Sequence, residues 1–230
     1  MQRTSRSAGA AQVAGIHSMS HGRVRIKFCG ITRLEDAERA VSLGVDALGF
    51  VFHPSSPRFV EPAIAAGIVR RLPAFVTAVG LFVDAPLEQV RETLRSSGIP
   101  LAQFHGDEPP DYCAAYGQAY VKAVRVRNES TITSAASDYA GAAALLLDTW
   151  HPQLAGGTGQ VFDWRLVPAA CSRPLVLAGG LASDNVAAAI ALVRPYGVDV
   201  SGGIEQSKGI KDPARMRAFV AEVRRIEREH

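Results

Sequence analysis

Two ionisable residues stand where short apolar runs end, and both could move protons on a small molecule. Cys29 ends the run before Gly30 in KFCGIT (27–32), and Asp148 ends LLLD (145–148). A thiolate can act as a general base, while a carboxyl group with apolar flanks tends to have a raised pKa and can donate a proton. Helix capping is the alternative for Asp148. The glycine-rich segment GGTG (156–159), which could close over a site, follows in place of a helix and favours the proton donor.

The cysteine needs help to act as a base, because a free thiol has a pKa of about 8.5. Alternation along a strand puts Arg25, Lys27 and Cys29 on one face. If that face is the interior of a barrel, Lys27 lies below Cys29 and favours the thiolate. Lys27 then needs a buried partner, and Asp199 is the candidate.

Two glycine pairs follow the last two apolar runs and predict a phosphate site. They are Gly179-Gly180 and, after Ser201, Gly202-Gly203. Bare backbone N–H groups and a helix N-terminus together bind phosphate in many α/β barrels. One pair could be a tight turn, whereas two pairs in these two loops favour phosphate binding.

A cation in another loop could bind a carboxylate. Arg58 follows PSSP (54–57), and its guanidinium could hold a carboxylate through two hydrogen bonds. A solvent-facing arginine fits the sequence equally well. Gln103 and His105 end a further apolar run, and we expect both at the same rim.

The order of elements predicts an α/β fold, a single (β/α)8 TIM barrel with parallel strands. Short apolar runs alternate with helical windows rich in Ala, Leu, Val and Arg. The predicted strands are 24–28, 47–52, 76–83, 101–104, 120–124, 143–147, 175–177 and 198–200, and the clearest helices are 34–43, 62–72, 86–96, 185–193 and 213–227. A doubly wound open sheet is the competing architecture, and the missing GxGxxG after the first strand disfavours it.

Composition narrows the class of protein. The 230 residues carry a formal charge of +3, which fits one barrel and gives little support for nucleic-acid binding. No apolar stretch is long enough to predict a membrane span. Three unpaired cysteines disfavour a disulfide framework and indicate a reducing, cytoplasmic setting, and the histidines show no metal-ligand spacing.

The first residues differ from the rest. We expect residues 1–22 to be a disordered extension, with translation starting at Met1 or Met19, and residues 23–230 to form the catalytic barrel. Secretory signals have a longer apolar region than this segment offers.

Together these segments resemble the phosphoribosylanthranilate isomerases of tryptophan biosynthesis. The resemblance runs from Val24 to about Val220 through the segments KFCGIT, GFVF…SPR, GLFVD, QFHGDE, LLLDTW, GGTGQVFDW, LAGGL and GVDVSGGIE. It implies an Amadori rearrangement of N-(5-phosphoribosyl)anthranilate without metal or organic cofactor, by a monomer or a homodimer. Cys113 and Cys171 are expected to have no part in it.

The resemblance also implies roles. Asp148 would protonate the furanose ring oxygen, and Cys29 would remove the proton from C2 of the sugar. Arg58 would hold the anthranilate carboxylate. Further substrate contacts are expected from Gln103, His105, Gly157 and Asp199, and phosphate contacts from Gly179, Gly180, Ser201, Gly202 and Gly203.

Two departures and two alternatives remain. The family often has LQLHG where this chain has LAQFHG (101–106), which keeps Gln103 and His105 in place, and we expect Phe104 to face the helices. Gly202 stands where the family often has a second serine, which predicts at most a modest rise in KM. Another phosphate-binding barrel, such as a sugar-phosphate epimerase or an indole-glycerol-phosphate-type enzyme, would show paired metal ligands or a lysine–acid set. A barrel without activity that serves as a binding module would not need Cys29 and Asp148 at strand ends.

Overall fold

The computed structural model describes residues 23–150 and 161–229. Eight parallel strands close into a barrel in the order of the chain, which confirms the predicted fold. The strands are β1 (Arg25–Cys29), β2 (Ala47–Val51), β3 (Thr77–Phe82), β4 (Leu101–Phe104), β5 (Tyr120–Val126), β6 (Ala144–Thr149), β7 (Leu175–Leu177) and β8 (Gly197–Val200).

Helices cover the outside of the barrel. They are α1 (Leu34–Ser42), α2 (Pro62–Val69), α3 (Leu87–Ser97), α4 (Pro110–Tyr116), α5 (Glu129–Asp138), α6 (Val186–Val193) and α7 (Pro213–Glu229). The described part of the β6–β7 connection contains a single 3-10 turn, Trp164–Leu166, instead of an α-helix. A two-stranded antiparallel hairpin, β9 (Glu205–Ser207) and β10 (Ile210–Lys211), lies between β8 and α7.

Alternation along the strands separates two environments. Large apolar side chains point outward to the helices: Phe104 contacts the rings of Tyr112 and Tyr116 on α4, and Phe28 contacts Phe219 on α7. This agrees with the expectation that Phe104 faces the helices, and it turns Gln103 towards the barrel interior. The main apolar core therefore lies between barrel and helices. Lys27, Gln103 and Asp199 lie inside the barrel, whereas Lys122, in register with Phe104, faces the helices.

Some predictions fall outside the described residues. The extension 1–22, the glycine-rich loop and its Gly157 belong to this group. No helix in the described ranges is long and apolar enough to cross a membrane.

The core predicts a contrast between two identical substitutions. Leu48 on β2 is 0 % exposed, and Leu192 on α6 is 56 % exposed. Leu48→Ala should lower the free energy of unfolding by about 2–5 kcal/mol, because it removes buried methyl groups and leaves a cavity. Leu192→Ala should change it by less than about 1 kcal/mol. Urea denaturation followed by circular dichroism measures both, and equal losses would contradict this description of the core.

Candidate active site

Asp148 ends a chain of three hydrogen-bonded side chains at the rim. His105 Nε2 lies 3.0 Å from Asp148 Oδ2, and Gln103 Nε2 lies 2.8 Å from His105 Nδ1. The Asp148 side chain also accepts a hydrogen bond from the backbone N–H of Thr149, at 2.8 Å. Strands β4 and β6 thus bring together three residues that the sequence placed at the rim separately.

The pKa of Asp148 differs from the sequence expectation. Burial acts to raise it, but the hydrogen bond and charge of His105, the Thr149 N–H and the charge of Arg125 together hold the pKa below its ordinary value. The expected raised pKa is therefore wrong for this state of the protein. Apolar flanks in the sequence did not reveal the donors that neighbouring strands direct at this carboxylate.

Cys29 lies above a buried ion pair, as predicted. Lys27 Nζ donates to Asp199 Oδ1 at 2.9 Å, and the pairing of β1 with β8 places these two residues side by side. Asp199 is therefore confirmed as the partner of Lys27. Arg25, the third residue on this face of β1, lies at the opposite end of the strand and stacks on Tyr196.

The net effect on the thiol works against the thiolate that a general base requires. Burial raises the pKa of Cys29 above its ordinary value. The positive charges of Lys27 and Lys211 lower it, as expected for Lys27, but the negative charge of Asp199 opposes them. Lys27 thus favours the thiolate as predicted, but burial outweighs it, and Asp199, which neutralises Lys27, acts in the same direction as burial.

Arg58 is held by a carboxylate that the sequence did not single out. Its Nε and Nη2 donate to the two oxygens of Glu205, at 2.8 and 2.7 Å. Glu205 Oε1 also accepts from Lys211 Nζ at 2.9 Å. Lys211 is fully buried and donates further to the carbonyl oxygens of Cys29 and Ser201, at 2.6 and 3.2 Å. The hairpin β9–β10 thereby ties together the ends of β1 and β8.

Within residues 23–150 and 161–229, no acceptor occupies one edge of the Arg58 guanidinium, and this edge could serve a ligand. Glu205 takes the Nε–Nη2 edge, while the end formed by Nη1 and Nη2 still has donors in a geometry that fits a second carboxylate. Arg58 and Lys211 carry two positive charges against the one negative charge of Glu205. The cluster of these three residues is therefore net positive, which favours an anionic ligand.

The glycines of the last two loops differ in the space that a Cβ atom would find at each position. A Cβ on Gly179, whose φ is +76°, would lie 2.4 Å from Thr149 Oγ1 and 2.8 Å from Asp148 Oδ1. A Cβ on Gly203 would lie 2.0 Å from the Leu181 carbonyl oxygen, whereas the only described atom within 4 Å of a Cβ on Gly202 would be Arg58 Nη2, at 3.5 Å. Gly179 and Gly203 are thus needed for close approach, and Gly202 is not.

The barrel order fixes how these groups stand around the mouth. Cys29 ends β1 and Asp148 lies near the end of β6, and on the shorter way round the barrel β7 and β8 separate them. The two glycine loops therefore lie between the two ionisable groups. Within the described ranges, no three or more His, Cys, Asp or Glu side chains gather in a way that could hold a metal ion.

Sequence reasoning missed the charged residues that support these loops. Glu205 and Lys211 are one set. Glu108 and Lys122 are another: Lys122 Nζ donates to Glu108 Oε2 at 2.9 Å and to the Gly106 carbonyl oxygen at 2.7 Å. A lysine inside an apolar strand, as in YVKAV (120–124), was the available signal, because such a lysine needs a buried partner.

Comparison with known proteins decides the class of enzyme. The family model described as N-(5'phosphoribosyl)anthranilate (PRA) isomerase matches residues 26–222. The chain belongs to this isomerase family. Its function is the family's isomerisation of N-(5'-phosphoribosyl)anthranilate, a step of tryptophan biosynthesis, and this sets aside the epimerase and the inactive barrel.

Relatives of the family cover nearly the whole barrel. An N-(5'-phosphoribosyl)anthranilate isomerase of Pseudomonas putida F1 is 53 % identical over 201 residues, which are 87 % of this chain and 98 % of the relative. The crystal structure of the Thermus thermophilus isomerase has a TM-score of 0.80 at 38 % identity, covering 88 % of this chain and 100 % of that one. Another isomerase was solved with reduced 1-(o-carboxyphenylamino)-1-deoxyribulose 5-phosphate, with a TM-score of 0.75 at 37 % identity, covering 87 % and 98 %.

Neighbouring glycines provide a matched test of the β8 loop. Gly202→Ser should fold like the parent and lower the KM by up to about fivefold, because a hydroxyl at this open position can donate to a phosphate. Gly203→Ser should lower the thermal midpoint and raise the KM, because its Cβ would overlap the Leu181 carbonyl oxygen. Steady-state kinetics and thermal melts measure both. Equal behaviour of the two variants would contradict the different roles given to these glycines.

Proposed function

We propose that the barrel catalyses the rearrangement to 1-(2-carboxyphenylamino)-1-deoxyribulose 5-phosphate with Asp148 as general acid and Cys29 as general base. The observation that supports this most is the position of two ionisable groups across one barrel mouth, with the two glycine loops between them. A sugar anchored by its phosphate at these loops would extend over the mouth, where an acid and a base can act at different atoms.

The first step opens the ring. The Asp148 carboxyl donates its proton to the furanose ring oxygen, and the C1–O bond breaks with its electron pair going to that oxygen. The nitrogen lone pair forms the C1–N double bond of a protonated Schiff base. His105, hydrogen-bonded to Asp148 Oδ2, stabilises the carboxylate that this step leaves behind.

The second step forms the enolamine. The Cys29 thiolate takes the proton from C2, and the electrons of the C–H bond form the C1–C2 double bond while the iminium nitrogen becomes neutral. The enolamine then tautomerises to the ketone. Lys27, whose charge favours the thiolate, is the nearest buried cation in β1 to support this step.

We assign substrate holding to the remaining rim residues. The free edge of Arg58 suits the anthranilate carboxylate, and its support by Glu205 keeps the guanidinium oriented. We place the phosphate at Gly179, Gly180, Ser201, Gly202 and Gly203. Contacts from Gln103, His105, Gly157 and Asp199, a single catalytic domain over residues 23–230, a monomeric or homodimeric state and a cytoplasmic location stay predictions.

Turnover tests this proposal directly. Loss of anthranilate fluorescence on substrate generated in situ should be fast for the wild type, and kcat should fall by about 10²–10⁴-fold in Cys29→Ala and in Asp148→Ala. Cys171→Ala and Asp138→Ala are matched controls, because these residues lie in segments that lead into the other ends of β7 and β6, and both variants should keep full activity. Wild-type kcat in either rim variant would overturn the assigned acid–base pair.

The two pKa shifts predict an unusual pH profile. The active form needs protonated Asp148 and ionised Cys29, yet the lowered pKa of the first and the raised pKa of the second favour the opposite form. Both forms hold the same number of protons, so their ratio does not change between the two pKa values. We therefore expect kcat/KM to stay flat between about pH 6.5 and about pH 8.5, to fall above the pKa of Cys29 as both groups lose protons, and to fall in acid as both gain them. A rise with a midpoint near pH 7.5 would contradict this.

Lys27→Met should lower the plateau of that profile. Without the lysine charge the pKa of Cys29 rises further. Each added pKa unit lowers the fraction of enzyme with an ionised Cys29 by about tenfold, and the alkaline limb moves to higher pH. An unchanged pH–rate profile would remove Lys27 from the mechanism.

The same change also leaves Asp199 buried without its partner, which should cost about 3–5 kcal/mol of stability. The double variant Lys27→Met/Asp199→Asn is the control. The double variant should recover most of the free energy of unfolding lost in Lys27→Met. Its kcat/KM should lie between the values of the wild type and of Lys27→Met, because Asp199 no longer opposes the thiolate.

A further inference from the structure

The orientation of the Gln103 amide determines which nitrogen of His105 carries the proton. An amide nitrogen can only donate, so the 2.8 Å contact from Gln103 Nε2 makes His105 Nδ1 an acceptor. The proton of the neutral imidazole is then on Nε2, where it donates to Asp148 Oδ2 at 3.0 Å. In this arrangement Asp148 is an ionised acceptor and has no proton to give.

The amide of Gln103 has a second possible orientation. Its oxygen Oε1 is buried and has no hydrogen-bond donor among the described residues. Gln103 is in register with Leu81 on β3 and with Val121 on β5, and neither side chain has a polar atom that could bind Oε1. Rotating the amide by 180° would bring Oε1 to His105 Nδ1 and leave Nε2 in the position of Oε1. Each orientation leaves one amide atom without a partner, so the costs of the two are comparable.

Hydrogen bonds hold the main chain around His105 in place, so the Gln103 amide can rotate without moving the backbone. Lys122 Nζ donates to the carbonyl oxygens of Phe104 and Gly106, at 3.4 and 2.7 Å. Arg125 Nη2 donates to the carbonyl oxygen of His105 itself, at 3.2 Å. These bonds hold the main chain on both sides of the imidazole and leave the Gln103 amide and the imidazole protons able to rearrange.

We propose that Gln103 is a positioning residue that, through His105, decides whether Asp148 holds a proton. With Oε1 turned to the imidazole, Nδ1 must carry a proton as donor. Nε2 of the neutral ring is then an acceptor that needs a donor, so Asp148 holds a proton on Oδ2, and the Asp148–His105 pair holds one proton more than in the first arrangement. The extra proton enters from solvent, and the charged group besides His105 that acts on Asp148 is Arg125.

This second arrangement is the one that can open the sugar ring. The Oδ2–H bond of Asp148 breaks, the proton goes to the ring oxygen, and the C1–O electron pair stays with that oxygen. Asp148 is left as a carboxylate, and His105 stabilises it once the imidazole proton is again on Nε2, as in the first arrangement. The proposal rests on the assignment of Asp148 as the general acid.

Nitrogen-15 NMR of the imidazoles tests the proposal. The chain has six histidines, and the His105 signals are identified by their loss in His105→Asn. In the free enzyme the proton should lie on Nε2. With reduced 1-(o-carboxyphenylamino)-1-deoxyribulose 5-phosphate bound, Nδ1 should carry a proton. The same protonated nitrogen in both states would overturn the proposal.

Two variants at position 103 add a kinetic readout. Gln103→Glu can only accept from Nδ1, so it should hold the second arrangement and move the acidic limb of the pH profile up by at least about one unit. Gln103→Leu can neither donate nor accept a hydrogen bond. It should leave the acidic limb within about half a pH unit of the wild type and lower kcat. An acidic limb unchanged in Gln103→Glu would also contradict the proposal. Full activity of Asp148→Ala would instead refute the proposed acid, so the two failures are distinguishable.

Discussion

A lysine buried at the upper end of a barrel needs a carboxylate, and the architecture of this site depends on three such pairs. Lys27 lies inside the barrel, Lys122 faces the helices beneath the loop that follows β4, and Lys211 lies on the hairpin under the rim. Each carboxylate comes from a different strand or loop than its lysine. The lysines are Lys27, Lys122 and Lys211, and their partners are Asp199, Glu108 and Glu205. Buried charges without partners are strongly destabilising, so these pairs hold the strand ends and their loops in fixed relative positions.

The pairs also set the electrostatics of the chemistry above them. Lys27 favours the Cys29 thiolate, while its own partner Asp199 works against it, and burial prevails. On the other side of the mouth, the donors around Asp148 favour its carboxylate. The free enzyme thus holds the proton on the base and not on the acid. The substrate must react with the less populated form, in which Asp148 is protonated and Cys29 is ionised. The proposed rearrangement of Gln103 and His105 is a way to protonate Asp148.

The sequence was a good guide to the barrel and to the ends of its strands. Apolar runs of strand length, each followed by a turn, located all eight strands, and the strand-end residues Cys29, Asp148 and His105 lie at one rim. Alternation even predicted the Lys27–Asp199 pair. Helices α4 and α5 were not among the clearest predictions, because α4 is only seven residues long and α5 is rich in Ser and Thr, which favour caps and turns.

The sequence does not reveal how opposing contributions to the pKa of one group add up. The pKa of Asp148 depends on a hydrogen bond from His105 after β4 and on the charge of Arg125 in β5, both distant in the chain, and with the Thr149 N–H these outweigh the burial suggested by the apolar flanks in LLLD. Arg58 was placed correctly at the rim, but its partner Glu205 lies 147 positions later on a short hairpin with no strong pattern of its own. Such contacts follow from closure of the barrel and not from local sequence.

Trapping the ring-opened intermediate tests the assigned acid and base most directly. Borodeuteride added during turnover places deuterium at C1 when it reduces the Schiff base and at C2 when it reduces the ketone product. Above the enzyme-free background, the account predicts deuterium at C2 with the wild type, at C1 with Cys29→Ala, and little at either carbon with Asp148→Ala. Deuterium at C1 with Asp148→Ala, in the amount found with Cys29→Ala, would show that Asp148 is not the acid that opens the ring.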